Sequence, residues 1–293
     1  MLTRVTNQMT ALQSQQHLQA GSVRLAQAQE RATSLDKLSR PSDDPTATAE
    51  ALRVKSLQSA HAQHTRNVAD GDGWLSTTDS ALIAADSLMA KVRELTLQGA
   101  NGSLSPNAKE AVAVELEGLK ADLLGVANTS INGRSVFAGT SDAGVAFRAD
   151  YSWTGTAGSS VTRRIGPETT VAVDSDGSAA FGAGASSVFA LIDDIATSLR
   201  TGGDVASHLT TVDARVSGLR SVQSDMGARH AQLLRAEDTL MDTKVTLEAQ
   251  RAGLEDLDLG QAVLDLQLQN NSYQAALQVT AKVLQVSLMD FLR

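Results

Sequence analysis

The chain has 293 residues, room for one large or two to three small domains, with a formal charge of -8 and a pI near 5.1. That acidity argues against a general nucleic-acid binder, which needs a basic surface to displace counterions from phosphate, and the lack of cysteine excludes disulfides, thiolate metal sites and a cysteine nucleophile. Hydrophobic residues make up 42% but aromatics only 3%, so burial falls to Leu, Val and Ala, as in extended helices and unlike a compact enzyme core.

Residues 2 to 35 lack proline and hold a single glycine, Gly21. Leu2, Val5, Met9, Leu12, Gln16, Gln19, Val23, Ala26 and Glu30 keep a three-then-four spacing, which predicts a helix of about 50 Å at 1.5 Å per residue. Pro41-Ser42-Asp43-Asp44-Pro45 follows: Asp44 is placed to cap a helix whose first residue is Pro45, where the missing amide hydrogen is not needed. Val54, Leu57, Val68, Leu75, Leu82, Ala85, Met89 and Val92 extend that helix to about Gln98, with a break or kink expected at Gly71 and Gly73. Asn101 to Ser105 reads as a turn, and Ser105-Pro106 starts another helix to about Asn128.

Composition then shifts. Nine of the 22 glycines and six of the nine aromatics lie between Gly133 and Phe189, and short alternating runs at 136–138, 160–164 and 170–173, separated by turns such as Asp176-Gly177, predict a small β-rich insert. Beyond it Val205, Val212, Leu219, Met226, Leu233, Leu240, Leu247 and Leu254 recur every seventh residue, a period that implies a left-handed supercoil. Their companions Gln223, His230, Glu237, Lys244 and Arg251 are polar, so the seam is narrow. From Gln261 onward Val263, Leu266, Asn270, Tyr273, Leu277, Thr280, Leu284, Leu288 and Phe291 repeat the spacing of the first helix.

The layout is nested, an elongated hairpin of helices with both termini at one pole. It divides into a terminal coiled-coil part (1–42 plus 255–293), a helical bundle (43–133 plus 192–254) and the insert (134–191). The fold class expected is mainly α, an elongated antiparallel helical bundle or coiled coil with a small β-rich domain at its tip. The two ends also differ in charge: residues 1–40 carry five basic and two acidic groups, residues 254–293 two and five. Two uses of the terminal stripes stay open on this reading, an antiparallel coiled coil within one chain or packing between chains.

Pro41-Ser42-Asp43-Asp44-Pro45, Asn67 to Gly71 and Thr77 to Leu82 resemble the flagellin superfamily. Pro45 after the two aspartates, Asn132 to Thr140, and Leu277 to Gln285 leading into Ser287-Leu288-Met289-Asp290-Phe291-Leu292 bring the resemblance closest to its hook-filament junction branch, the hook-associated protein 3 family. It covers both ends and much of the helical part, but not the insert beyond Thr140. The chain departs at Ser34-Leu35-Asp36-Lys37-Leu38, where that family commonly shows Ser-Gly and two basic residues. Losing the glycine is expected to stiffen the joint there.

The resemblance implies a structural junction protein of the bacterial flagellum, joining another hook-associated protein below to flagellin above. It implies helical packing against copies of itself, an export chaperone on the last helix, and an extracellular location. The assembly interface expected is Leu2, Val5, Met9 and Leu12 at one end with Leu266, Tyr273, Leu277, Leu284, Leu288 and Phe291 at the other. The N-terminus has no charged-then-apolar signal and no apolar run approaches the roughly 20 residues of a membrane span, so export without a cleaved signal peptide and no membrane insertion are expected. Filament flagellin itself is the first alternative, a cytoplasmic coiled-coil signalling protein the second, and an enzyme with a pocket in the insert the third.

No catalytic residue, metal or cofactor is expected. His61 and His64 lie three apart on a helix but lack a third ligand. Asp70, Asp72 and Gly73 begin like a calcium loop, yet its fifth position is Trp74 and its closing Glu is missing. Asp256 and Asp258 before Gly260 read as a linker or helix start. Gly182 to Ser187 lacks the third glycine and preceding strand of a dinucleotide fingerprint, and Ser42-Asp43-Asp44 is better explained by a helix cap than by paired catalytic acids.

Overall fold

The computed structural model describes residues 2–38, 40–42 and 44–291, with side chains described for residue 9 and for 12–38, 40–42 and 44–282. The chain separates into two compact units, residues 1–59 with 243–293 and residues 60–242. Its helices are α1 (Leu2–Ser34), α2 (Pro45–Gly99), α3 (Pro106–Ala127), α4 (Gly177–Phe181), α5 (Val188–Thr201), α6 (His208–Glu255) and α7 (Leu259–Phe291). The strands are β1 (Ser130–Ile131), β2 (Arg134–Ser135), β3 (Thr162–Arg164) and β4 (Thr170–Ala172). The mainly helical architecture expected from the sequence is what is found.

In the unit of residues 60–242, α2 and α6 run antiparallel, as a ladder of polar ties shows. Arg93 Nε meets Asp213 at 2.6 Å, Arg220 Nε meets Asp86 at 2.9 Å, and His230 Nε2 meets Asp72 at 2.8 Å, while Gln223 reaches Asp79 at 3.5 Å. The aspartates and arginine of α2 in these ties recur every seven residues. Beside them the sevenfold series of α6 is buried: Val212, Leu219 and Leu233 are fully shielded and Met226 nearly so, with Val205 tucked in just before the helix starts. Polar companions on the flank and apolar residues in the seam are what a narrow coiled-coil stripe requires.

The kink expected at Gly71 and Gly73 is absent, because α2 passes through both without interruption. A Cβ at Gly71 would stand 2.8 Å from Leu233 Cδ1 and 3.3 Å from Val173 Cγ1. The glycine therefore serves close approach of neighbours, and the packing it permits offsets the roughly 1 kcal/mol it costs a helix.

α3 lies against α5. Ser105 caps α3 by accepting the amide of Ala108, and Ser187 caps α5 by accepting that of Ala190. The insert holds less strand than the sequence implies. β1 pairs with β2 and β3 with β4, each antiparallel and two or three residues long. The run at 136–138 contributes a single bridge, Ala138 to Asp176. Asp176-Gly177 is not a hairpin turn but a helix start, with Asp176 Oδ1 accepting the amides of Ser178 and Ala179 at 2.8 and 3.3 Å. An aspartate suits either role, and here the following Ser-Ala-Ala favours helix.

The aromatics hold the insert to the helices. Phe137, Phe147, Phe181 and Phe189 are almost completely buried, and Phe181 meets Phe137 edge-on at 5.2 Å while Phe147 meets Phe189 at 5.3 Å. Such pairs are worth about 0.5–1.5 kcal/mol each beyond their burial. They belong to one continuous core with Leu75, Leu82, Met89, Leu116, Leu123 and Ile192.

Candidate assembly surface

In the terminal unit α1 and α7 lie along one another. Gly21 faces the ring of Tyr273, and Leu35 just past α1 accepts the amide of Leu257 at 2.8 Å, so the two helices are antiparallel. The half-buried positions of α1 are Ser14, Leu18, Gly21, Leu25, Ala28 and Ala32, and those of α7 are Leu266, Gln269, Tyr273, Ala276 and Thr280 with Ala262 buried. Each set has the alternating four-three spacing of a coiled-coil seam. The residues themselves are mostly small or polar. They allow close approach and remove little apolar surface from water.

Beyond Leu18, Leu25, Leu266 and Tyr273, several large apolar residues point elsewhere. Met9, Leu12 and Val23 are 69%, 57% and 55% exposed, as are Leu264 at 67%, Leu268 at 61% and Val279 at 61%. At 3.6 residues per turn Met9, Leu12 and Val23 fall on the side of α1 opposite its seam, and Leu264, Leu268 and Ala275 form a row on the far side of α7 that runs on to Val279 at the flank of its seam. Of the described residues of the two helices, Ala262 is the only one fully buried. Each helix thus has two faces, a thin inner seam joining it to its partner and an outer row that the monomer leaves in water.

The expected interface residues divide accordingly. Met9 and Leu12 lie on the outer face of α1, so of the two uses left open for the stripe that contains them the intrachain seam is not the one adopted. Leu18 and Leu25 hold the inner face, while Gln16, Gln19 and Glu30 turn outward. Leu266 and Tyr273 lie in the seam, and Leu277, 43% exposed, sits at its edge with Val263. Leu2, Val5, Leu284, Leu288 and Phe291 are helical in backbone, but their side chains lie outside the described residues. The outer row of Leu264, Leu268 and Val279 is absent from the sequence-based set. An i, i+4, i+11, i+15 search of α7 would have found it.

The joints at the ends of these helices are clasped together. Lys37 donates its amide to the Glu255 carbonyl at 2.7 Å, and Asp36 and Asp256 form an antiparallel bridge. The Glu255 carboxylate, largely shielded, meets Lys55 at 2.5 Å and Arg251 at 3.6 Å. Leu35 has φ +59°, the left-handed conformation that glycine adopts without cost. The missing glycine therefore has not abolished the turn; leucine is held in it. Pro41 and Ser42 follow in a turn, Asp43 lies outside the described residues, and Asp44 Oδ1 accepts the amides of Thr46 and Ala47 at 3.1 and 2.9 Å with Pro45 as first residue of α2. The Pro-Ser-Asp-Asp-Pro tract thus works as a helix start. Asp258 does the same for α7, accepting from Gly260 at 2.7 Å.

The remaining chemical candidates are absorbed by the fold. His61 Nε2 lies 2.6 Å from the Leu240 carbonyl, and His64 Nδ1 is buried with no hydrogen-bond partner. Asp70 and Asp72 sit in mid-helix, not in a loop, and pair with Arg163 and His230. Gly182 ends α4, and Gly184 to Ser186 make a single helical turn. Among the described residues there is no cluster of three or more metal-ligating side chains, and no helix is long and apolar enough to cross a membrane.

The chain is similar to known proteins. The bacterial flagellin N-terminal helical region matches residues 5–142 and the bacterial flagellin C-terminal helical region matches 209–292, together well over half of the chain. Flagellar hook-associated protein 3 of Salmonella typhimurium is 24% identical over 274 residues, covering 84% of either chain. Polar flagellin F of Vibrio parahaemolyticus is 31% identical over 136 residues, but these are only 46% of this chain and 36% of that one. The crystal structure of the flagellar junction protein FlgL from Legionella pneumophila superposes with a TM-score of 0.59 at 18% identity, covering 71% of this chain and all of that one.

Proposed function

The chain belongs to the bacterial flagellin family, and from that premise we propose that it is a structural adaptor of the flagellum, seated between hook and filament. The observation that carries this reading is the terminal pair: two helices of 33 residues each, with a single buried side chain among the described residues and Met9, Leu12, Val23, Leu264 and Leu268 turned outward. Such faces are costly in a free monomer and useful in an assembly. The outer row of α7 in one copy packs on the outer row of α1 in another, a head-to-tail contact that does not close on itself and so builds a helical array. The proposed interface also takes in Leu2, Val5, Leu284, Leu288 and Phe291, on the strength of the sequence pattern.

The likeness to hook-associated protein 3 over 84% of both chains supports the junction role above that of filament. Its partners are copies of itself, a neighbouring hook-associated protein, and flagellin, with an export chaperone holding α7 before assembly. The protein is exposed outside the cell, and its task is structural and not catalytic. We read the chain in three parts, terminal coiled coil (1–42 plus 255–293), bundle (43–133 plus 192–254) and insert (134–191).

The match to Polar flagellin F favours a second reading, filament subunit. Immunogold labelling of intact flagella separates the two: a single band at the hook-filament boundary is expected, and a filament coated along its length would overturn the junction role.

A further inference from the structure

A cleft of about 230 Å³ opens between α1 and α7 beside the clasped joint. Arg24, Arg31 and Lys37 line it against a single carboxylate, Asp265, in a chain whose net charge is -8. Its apolar wall comes from Ala28, Leu257 and Ala262. The clasp fixes its shape, since the Lys37 amide is bonded to Glu255 and the Leu257 amide to Leu35. A pre-shaped cationic recess with an apolar wall suits an occupant bearing carboxylates next to aliphatic side chains.

This chain presents such a face on α6. Leu234, Glu237, Asp238 and Met241 follow i, i+3, i+4, i+7 spacing and share one side of the helix. All are exposed, Leu234 by 47% and Met241 by 64%. None lines the cleft of its own copy. We propose that the cleft receives the Leu234–Met241 face of α6 from a second copy of the chain, with Glu237 and Asp238 against the cations and Leu234 and Met241 against the apolar wall. The inference rests on the assembly reading above and names a contact distinct from the outer rows of α1 and α7.

The natural absence of cysteine makes disulfide trapping clean. Full-length chains carrying Gln27→Cys and Met241→Cys are co-expressed, their flagella oxidised, and mixed disulfides read by mass spectrometry. A control pair, Val23→Cys with Leu268→Cys, reports the outer rows. The cleft pair is expected to link. Adding Arg24→Glu should lower its yield about tenfold, the scale of losing one interfacial charge pair, and adding Glu237→Lys and Asp238→Lys to the partner should restore it. An unchanged thermal melt of the Arg24→Glu chain keeps misfolding out of that result. A control link without a cleft link overturns this inference and leaves the assembly reading standing. Neither link overturns both, and a cleft link alone supports this contact against the pairing of outer rows.

Discussion

The α6 seam between Val212 and Leu233 and the α1–α7 seam obey the same spacing rule and reach opposite results. In the first, Leu and Val close completely against α2 and the insert. In the second, Ser14, Gly21, Ala28, Gln269 and Thr280 occupy equivalent positions and stay half exposed. Heptad spacing fixes which face pairs; the size of the residues there decides whether the pairing is finished. The 60–242 unit has a complete core by itself. The terminal pair has only a guide, with its apolar surface held on the other side.

The largest effects should come from placing one charge in each kind of face. Leu233→Asp buries a carboxylate in the α6 seam at a fully shielded site. Loss of packing and of charge hydration together should cost more than about 4 kcal/mol, enough to unfold the unit. Leu268→Asp, on the outer row of α7, should change the melting of the free chain by less than about 0.5 kcal/mol and yet stop filament growth in cells. Circular dichroism and motility read the two. Normal filaments on the Leu268→Asp strain would show that the outer row is not an assembly face.

A smaller effect of opposite sign is expected at the joint. Leu to Gly normally destabilises by raising the entropy of the unfolded chain, but Leu35 sits at φ +59°, where a side chain clashes with its own backbone. Leu35→Gly should therefore stabilise the terminal unit by about 1 kcal/mol. Hydrogen exchange at Lys37 and Leu257, whose amides close the clasp, would slow; faster exchange would mean that the leucine side chain contributes more than its strain costs.

How far the sequence could be read follows the same division. Caps at Asp44, Ser105 and the seven-residue series of α6 were legible because each depends on local residue types or on a strong period. The face of α1 that meets α7 was not, since its conspicuous apolar residues Met9, Leu12 and Val23 face outward and the seam is marked only by Leu18 and Leu25 among small or polar neighbours. Gly71 misled for a related reason, because its role depends on Leu233, 162 positions away in the sequence. Asp176-Gly177 is ambiguous at short range and is resolved by the helix that follows. In the candidate surface, Leu266 and Tyr273 belong to the inner seam, while the α7 outer row was hidden beside the stronger stripe that contains them.

The smallest effect separates exposed electrostatics from packing within the finished unit. Arg200 of α5 bonds Glu110 at 2.9 Å and Glu117 at 2.5 Å on α3. Its guanidinium holds both carboxyls below the usual glutamate range, chiefly through these hydrogen bonds. A depressed carboxyl pKa adds stability above the unfolded value of about 4.3 and loses it as pH falls through the folded value. Arg200→Gln should thus lower the melting temperature slightly at neutral pH, and the gap from the parent chain should close as the solution is acidified below that range. The side chains are exposed and screened, so the gap should also shrink in high salt. A gap that persists in acid would place the contribution of Arg200 in its aliphatic packing across α3 and not in its charge.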